Sequence, residues 1–394
     1  MINAQQIMEI CAFGAFSSDR HTGPKVHGSN ASSYDWWYFD AIGTDGLSSL
    51  AVAFFIEANQ SGFSVTENFT NMDFIQISGT FPNGTGFSDF LFADNAIVST
   101  NGDGSSGLWN GTGISWAGSP DLHNYVLTID AEDLGYKGSF SLNSSADPQI
   151  LQIAPPHYPC SPKRGNVSLE VLPGVGWANS IPDAETTVHL TVHGSELSFI
   201  GTGYHDKNWG VTSFTDNVGS WYWGHARMGP YSLVWLDALD TNYNEYASGY
   251  VAYQGQILVA ECDNMKVRPN GKDATFPPTS DSPLPEGFKI TVDVPELGLL
   301  EAQLTPNLAT LEKPGYGRWI GSVNGTVDGA AYHSGVSGFE MFNFFRKAFT
   351  RAGRDAKTPT ASSSHSLGSP EQTVENSLTR TVTRVMSDSS YVRI

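Results

Sequence analysis

The chain has 394 residues, 40% of them hydrophobic and 15% charged, with a formal net charge of −19. That length and apolar content suffice for two domains with sizeable cores, while the acidic balance argues against nucleic-acid or anionic-membrane partners, which need a basic face. No run approaches the roughly 18 apolar residues of a membrane span, and Cys11, Cys160 and Cys262 lack metal-ligand spacing, so no metal is expected and one disulfide at most.

Residues 1–24 form an N-terminal segment. Gln5, Gln6 and Glu9 interrupt its short apolar pieces and no basic start precedes them, so it does not read as a signal peptide. From there the chain alternates short apolar-polar runs with Gly, Asn, Asp and Pro, which predicts strands at Tyr34–Ile42, Leu50–Ile56, Phe74–Ser78, Asn124–Asp130, Lys137–Leu142 and Thr187–His193. Further strands are expected at Ser220–Met228, Ser232–Ala238, Glu245–Tyr253, Gln256–Ala260, Lys289–Val294 and Arg318–Val327. The proline-rich stretch Ala154–Asp183 reads as a loop before a domain boundary, giving an N-terminal domain over 25–195 and a C-terminal one over 196–345. Phe339, Phe342, Phe345 and Phe349 have helical spacing, which predicts a short closing helix over Phe339–Arg351. Residues 346–394 are a polar tail expected not to fold alone. The fold class is therefore all-β, closed as antiparallel barrels or sandwiches.

Asn-x-Ser/Thr occurs at Asn30, Asn59, Asn68, Asn83, Asn110, Asn143, Asn166 and Asn324. These glycosylation candidates favour the secretory pathway slightly; Asn-Gly-Thr also makes a good hairpin turn.

Two aromatic strands echo each other. Trp36-Trp37-Tyr38-Phe39-Asp40-Ala41 precedes Ser49-Leu50-Ala51-Val52-Ala53, and Trp221-Tyr222-Trp223-Gly224-His225-Ala226 precedes Ser232-Leu233-Val234-Trp235-Leu236. The echo points to two similar halves. Ahead of the second lies Gly203-Tyr-His-Asp-Lys-Asn-Trp-Gly210, which reads either as a tight turn or as a loop carrying chemistry. Strand alternation puts Trp221, Trp223, His225 and Arg227 on one face, and Tyr231, Leu233, Trp235 and Asp237 on one face of the next strand. A hairpin through Met228-Gly229-Pro230 would let these faces meet as an aromatic wall with a few polar points. The candidate catalytic residues are Lys207, His205, His225, Arg227, Asp237 and Asp206. The candidate substrate contacts are Trp37, Tyr204, Trp209, Trp221, Trp223, Trp235 and Glu57.

Asp35-Trp-Trp-Tyr-Phe-Asp40 together with the Tyr204–Gly210 motif resembles the lipocalin-like family of carotenoid 1,2-hydratase (hydroxyneurosporene synthase) and AttH-type proteins. The resemblance implies two lipocalin-like β-barrels in tandem with the ligand site near their junction. Within that family the chain is similar to the fungal Diels-Alderase branch, and most to the hetero-Diels-Alderases of tropolone-sesquiterpenoid assembly. Where the bacterial hydratases carry His-Asn-Trp and Tyr-x-Asp, this chain has Lys207-Asn208-Trp209 and Trp235-Leu236-Asp237. Both changes weaken a proton donor of moderate pKa. The resemblance thus implies a cofactor-free pericyclase acting on small apolar substrates, joining a tropolone-derived quinone methide to a humulene-type alkene. Lys207, His225 or Arg227 would donate to the heterodiene carbonyl. An intramolecular decalin-forming cyclase, a terpenoid hydratase or isomerase, and a non-catalytic carrier are the alternatives.

Overall fold

A computed structural model describes residues 22–26, 30–58, 60–62, 72–144 and 168–345. Twelve strands make a first antiparallel sheet: β1 (Tyr34–Gly43), β2 (Ser49–Glu57), β3 (Asp73–Thr80), β4 (Gly86–Phe92), β5 (Asn95–Asn101), β6 (Gly104–Asn110), β7 (Ile114–Gly118), β8 (Asn124–Ala131), β9 (Tyr136–Ser144), β10 (Glu170–Leu172), β11 (Val175–Val192) and β12 (Ser195–Gly210). Nine make a second: β13 (Val218–Met228), β14 (Tyr231–Asp240), β15 (Glu245–Tyr253), β16 (Gln256–Cys262), β17 (Met265–Asn270), β18 (Gly287–Val294), β19 (Gly298–Lys313), β20 (Tyr316–Val327) and β21 (His333–Asn343). The only α-helix among the described residues is Phe214–Asn217, and no described helix is long and apolar enough to cross a membrane.

The fold is that of curled, lipocalin-like antiparallel sheets. Each sheet wraps around a core of its own: Trp37, Phe39, Phe54, Trp109 and Trp116 in the first, Trp235, Phe288, Trp319 and Phe339 in the second. The two sheets share a topology. The first strand of each pairs on one side with the second and on the other with the last, β1 with β2 and β12, β13 with β14 and β21. The aromatic echo is thus carried by topologically equivalent strands.

Periodicity shows where the sheets meet. Outlying β8 alternates buried and exposed residues throughout, as a half-buried strand does. Central β1 and β13 are covered on both faces, because a third cluster that includes Tyr38, Tyr204, Trp221, Trp223 and Leu236 fills the space between the sheets.

Three sequence expectations change. Gly203–Gly210 is neither turn nor loop but the end of β12, a central strand of the first sheet, so the chain passes between sheets after Gly210 and not near residue 195. Val175–Asp183, expected as loop, opens the long strand β11. Phe339 and Phe342 lie in β21 and not in a helix: Phe339 fills the second core while Phe342 faces the other sheet, and apolar residues on both faces imitated a helical period. Residues 346–394 lie outside the described residues. So do Asn59, Asn68 and Asn166; Asn30, Asn83, Asn110 and Asn143 are exposed and Asn324 is half-buried. Cys262 is disulfide-bonded.

Aromatic rings lie over glycines directly across the ladder, Trp116 on Gly107 and Trp235 on Gly224. A Cβ on Gly107 would stand 2.1 Å from the Trp116 ring, which is itself packed on Trp37, Phe54 and Trp109. Gly107→Ala is therefore expected to cost about 1–3 kcal/mol by overpacking in urea unfolding. Gly86→Ala, whose Cβ would meet nothing within 3.5 Å, should stay within about 0.5 kcal/mol.

Candidate active site

The joint between the sheets is built in rows. On the first sheet, Trp36, Tyr38 and Asp40 of β1 face the second sheet, with Asp206 and Tyr204 of β12 across from Tyr38 and Asp40. On the second, Trp221, Trp223 and His225 of β13 stand beside Phe342, Glu340 and Gly338 of β21, and these beside Tyr316, Arg318 and Ile320 of β20. Echoed positions meet. The Tyr38 and Trp223 rings are 5.3 Å apart, edge to face, and His225 Nε2 lies 3.0 Å from Asp40 Oδ2.

One end of the joint is aromatic: Trp36, Phe55, Trp221, Phe342 and Phe344 gather around Phe214, and all but Trp221 and Phe214 remain half-buried. Glu57 closes that end across from Tyr34. Burial pushes its carboxyl up to about 8, against a hydrogen bond from Ser61.

The next layer is polar. The Tyr38 hydroxyl donates to Asp40 (2.7 Å). Those of Tyr204 and Tyr316 donate to Asp206 and Glu340, and Trp177 Nε1 also donates to Asp206 (2.7 Å). The Tyr204 ring stacks on His225 at 4.9 Å. Burial raises the pKa of Asp40 against its His225 partner, and that of Glu340 against Arg318 and Tyr316. Burial also lifts Asp206 to about 7; hydrogen bonds from Tyr204 and Trp177 oppose the shift, and the Asp40 and Glu340 charges add to it. Three carboxyls thus share one guanidinium and one imidazole, so the layer retains a proton near neutrality. Folding lifts Asp206 from 3.8, so its contribution to stability is complete below about pH 4 and is lost as pH rises through about 7. A narrow cleft with room for about a single water reaches this layer between Tyr38, Asp40, Ala51, Ser78, Arg318 and Gly338.

Of the residues singled out from sequence, Tyr204, Asp206, Trp221, Trp223, His225 and Glu57 share the joint. Arg227 stands at its edge, donating to both Asp183 oxygens and to Glu185. The others are elsewhere. His205, Lys207, Trp209 and Trp37 are on the opposite face of their strands: His205 stacks on Phe39 at 3.9 Å, and burial and Lys207 hold it well below the usual histidine range. Lys207 is pushed down to about 8 by burial despite its ion pair with Asp35. It also donates to Gly23 O and sits over Trp37, so it ties the segment before β1 to the first sheet. Trp235 and Asp237 line the second sheet's own interior, where Asp237 binds Arg268 and the Val267 amide. The hairpin forms as expected, but Trp223 lies opposite Leu236, and His225 opposite Val234; the Trp221–Arg227 face and the Trp235–Asp237 face point apart. Tyr38, Asp40, Arg318 and Glu340 were not singled out. Asp40 stood inside the quoted motif, in register with His225 in the echo. Among the described residues, no group of three or more His, Cys, Asp or Glu is placed to hold a metal ion.

The Arg227–Asp183 clasp joins β13 to β11, with Asp183 8% exposed. Arg227→Met should cost about 2 kcal/mol, less than a fully buried pair because the arginine is a quarter exposed. Urea denaturation checks this; an unchanged midpoint would show that the clasp contributes nothing.

Comparison with known proteins agrees with this architecture. The Diels-Alderase-like family matches residues 2–267. The chain is 32% identical over 330 residues to a quinolone epoxide rearrangement protein of Emericella nidulans, covering 83% of this chain and 88% of that one. It is 33% identical over 322 residues to its counterpart in Penicillium thymicola, covering 80% and 86%. The crystal structure of CghA superposes with a TM-score of 0.68 at 18% identity, over 84% of this chain and 93% of CghA, and so shares the fold. By sequence, the chain belongs to the Diels-Alderase-like family.

Proposed function

We propose that the chain catalyses an acid-assisted, cofactor-free rearrangement of an epoxide carried on a flat, carbonyl-bearing aromatic intermediate of the quinolone type. The observation that carries this reading is the proton-retaining layer of Asp40, Asp206 and Glu340 beneath half-buried aromatic rings. A carboxylic acid with a pKa near 7 is matched to proton donation at neutral pH. A proton passes to the epoxide oxygen as its C–O bond breaks. The carbon left electron-poor faces the half-buried rings of Trp36, Phe55 and Phe342, whose negative π-faces favour positive charge. Migration of a carbon substituent moves the deficiency along, and loss of a proton from the rearranged skeleton returns one to the layer. Two relatives above 30% identity are named for a quinolone epoxide rearrangement.

The [4+2] reading from sequence, a tropolone-derived quinone methide joined to a humulene-type alkene, is kept as the second. The family's description and the stacking rows support it. Such a reaction gains from alignment of its two partners, worth about 7–11 kcal/mol, and needs no net proton transfer.

Turnover of a quinolone epoxide by the purified chain tests the first reading. Because the active form is protonated, kcat/KM should fall with rising pH as the raised carboxyls of the layer ionise, Asp206 at about 7. Glu340→Gln and Asp40→Asn should each lower kcat about 10²–10⁴-fold. A rate independent of pH from 5 to 9, with both variants fully active, would remove the acid role. Formation of a cycloadduct from heterodiene and alkene, with the epoxide untouched, would favour the second reading.

A further inference from the structure

Arg318 differs from Lys207, Arg227 and Arg268. Lys207 is tied to Asp35, Arg227 to Asp183 and Glu185, and Arg268 to Asp237 and Glu245. The Arg318 guanidinium stands 3.9 Å from both Asp40 and Glu340, beyond hydrogen-bonding reach. Among the described residues it donates no hydrogen bond. Its central carbon lies over the Tyr38 ring, 4.7 Å from the centroid, and its side chain is 19% exposed. It lines the narrow cleft that reaches Asp40. Asp40, 5% exposed, lines the same cleft, with His225 Nε2 2.9 Å from its Oδ1 and 3.0 Å from its Oδ2. A fork of donors with no acceptor therefore lines a small open space beside a buried carboxyl that His225 holds from the other side.

We propose that Arg318 is the oxygen-recognition residue of the site. Its planar fork takes two acceptors on one edge of the ligand, a carbonyl oxygen and an oxygen on the adjacent carbon, as an α,β-epoxy carbonyl or an α-hydroxy ketone presents. That edge sits at the cleft beside the guanidinium and Asp40, where it takes the place of the water. Asp40 and Glu340 flank it, His225 backs Asp40, and Tyr38 and Tyr316 hydroxyls hold the two carboxyls. Glu340 or Asp40, when protonated, hands its proton to the oxygen that Arg318 has placed. A lysine would supply the charge but not the fork. This deepens the epoxide reading, since it names what part of such a substrate is gripped, yet it applies equally to an oxygenated heterodiene.

The test is equilibrium binding to the full chain, followed by tryptophan fluorescence, with three probes: 3-hydroxyquinolin-2-one, tropolone and naphthalene. Both oxygenated probes should bind the unaltered chain more tightly than naphthalene. Arg318→Met should weaken them about 10-fold or more while leaving naphthalene unchanged, and Arg318→Lys should recover only a small part. Thermal melting of both variants confirms that they fold, and Lys keeps the comparison available if Met does not. If the oxygenated probes bind Arg318→Met or Arg318→Lys as tightly as the unaltered chain, the inference is wrong and the epoxide reading survives. If tropolone binds with this dependence on Arg318 and the quinolinone does not bind, the inference holds and the epoxide reading fails. If neither oxygenated probe outdoes naphthalene on the unaltered chain, only water occupies the cleft and the inference is overturned.

Discussion

The contact between His225 and Asp40 is the constraint around which the molecule is arranged. Each lies at the middle of its own sheet, on a strand buried on both faces. Bringing them together places two curled sheets face to face, and buries Asp206 and Glu340 with them. A lone carboxylate there would be expensive, and a second and third more so. The joint responds in two ways, by supplying hydroxyl and indole donors from Tyr38, Tyr204, Tyr316 and Trp177, and by holding on to protons. What makes the layer a chemical resource is the same desolvation that makes it costly to bury.

Strand alternation divides the labour within single motifs. In β12, Asp206 looks into the joint while its neighbours His205 and Lys207 look into the first sheet's own core. Lys207 therefore acts on the segment around Gly23, where it draws a backbone oxygen, Asp35 and the Trp37 ring together. In β14, Asp237 turns the other way from the joint for the same reason. Residues adjacent in sequence serve separate interiors, and a motif dense in chemistry does not make one site.

Much of the fold was readable. The turn residues and short alternating runs gave the strand class, and the echo of Trp36–Ala41 in Trp221–Ala226 gave the duplicated topology. Face membership was readable too: Trp221, Trp223 and His225 do share a face. The direction of that face was not readable, because alternation fixes parity and leaves open which parity meets a second sheet. That choice decided the fate of Asp237, Trp235, Lys207 and His205. Arg318 and Glu340 lie more than a hundred positions from Tyr38 and Asp40, and only the pairing of β20 and β21 onto β13 brings them there. The helix expected at Phe339 failed because a strand covered on both faces has no polar side to betray a period of two.

The equivalence of β1 and β13 has a consequence for how such chemistry could arise. Two identical halves related by a twofold axis would confront a residue lying on that axis with its own copy, so that aspartate would oppose aspartate or imidazole oppose imidazole. Like charges in so dry a place repel. Fusing both halves into one polypeptide releases the two positions from sharing a codon, and an anion on one side can then acquire a basic companion on the other. Asp40 and His225 occupy matching places in the echo and complement each other, an asymmetry available only to a covalently tandem molecule.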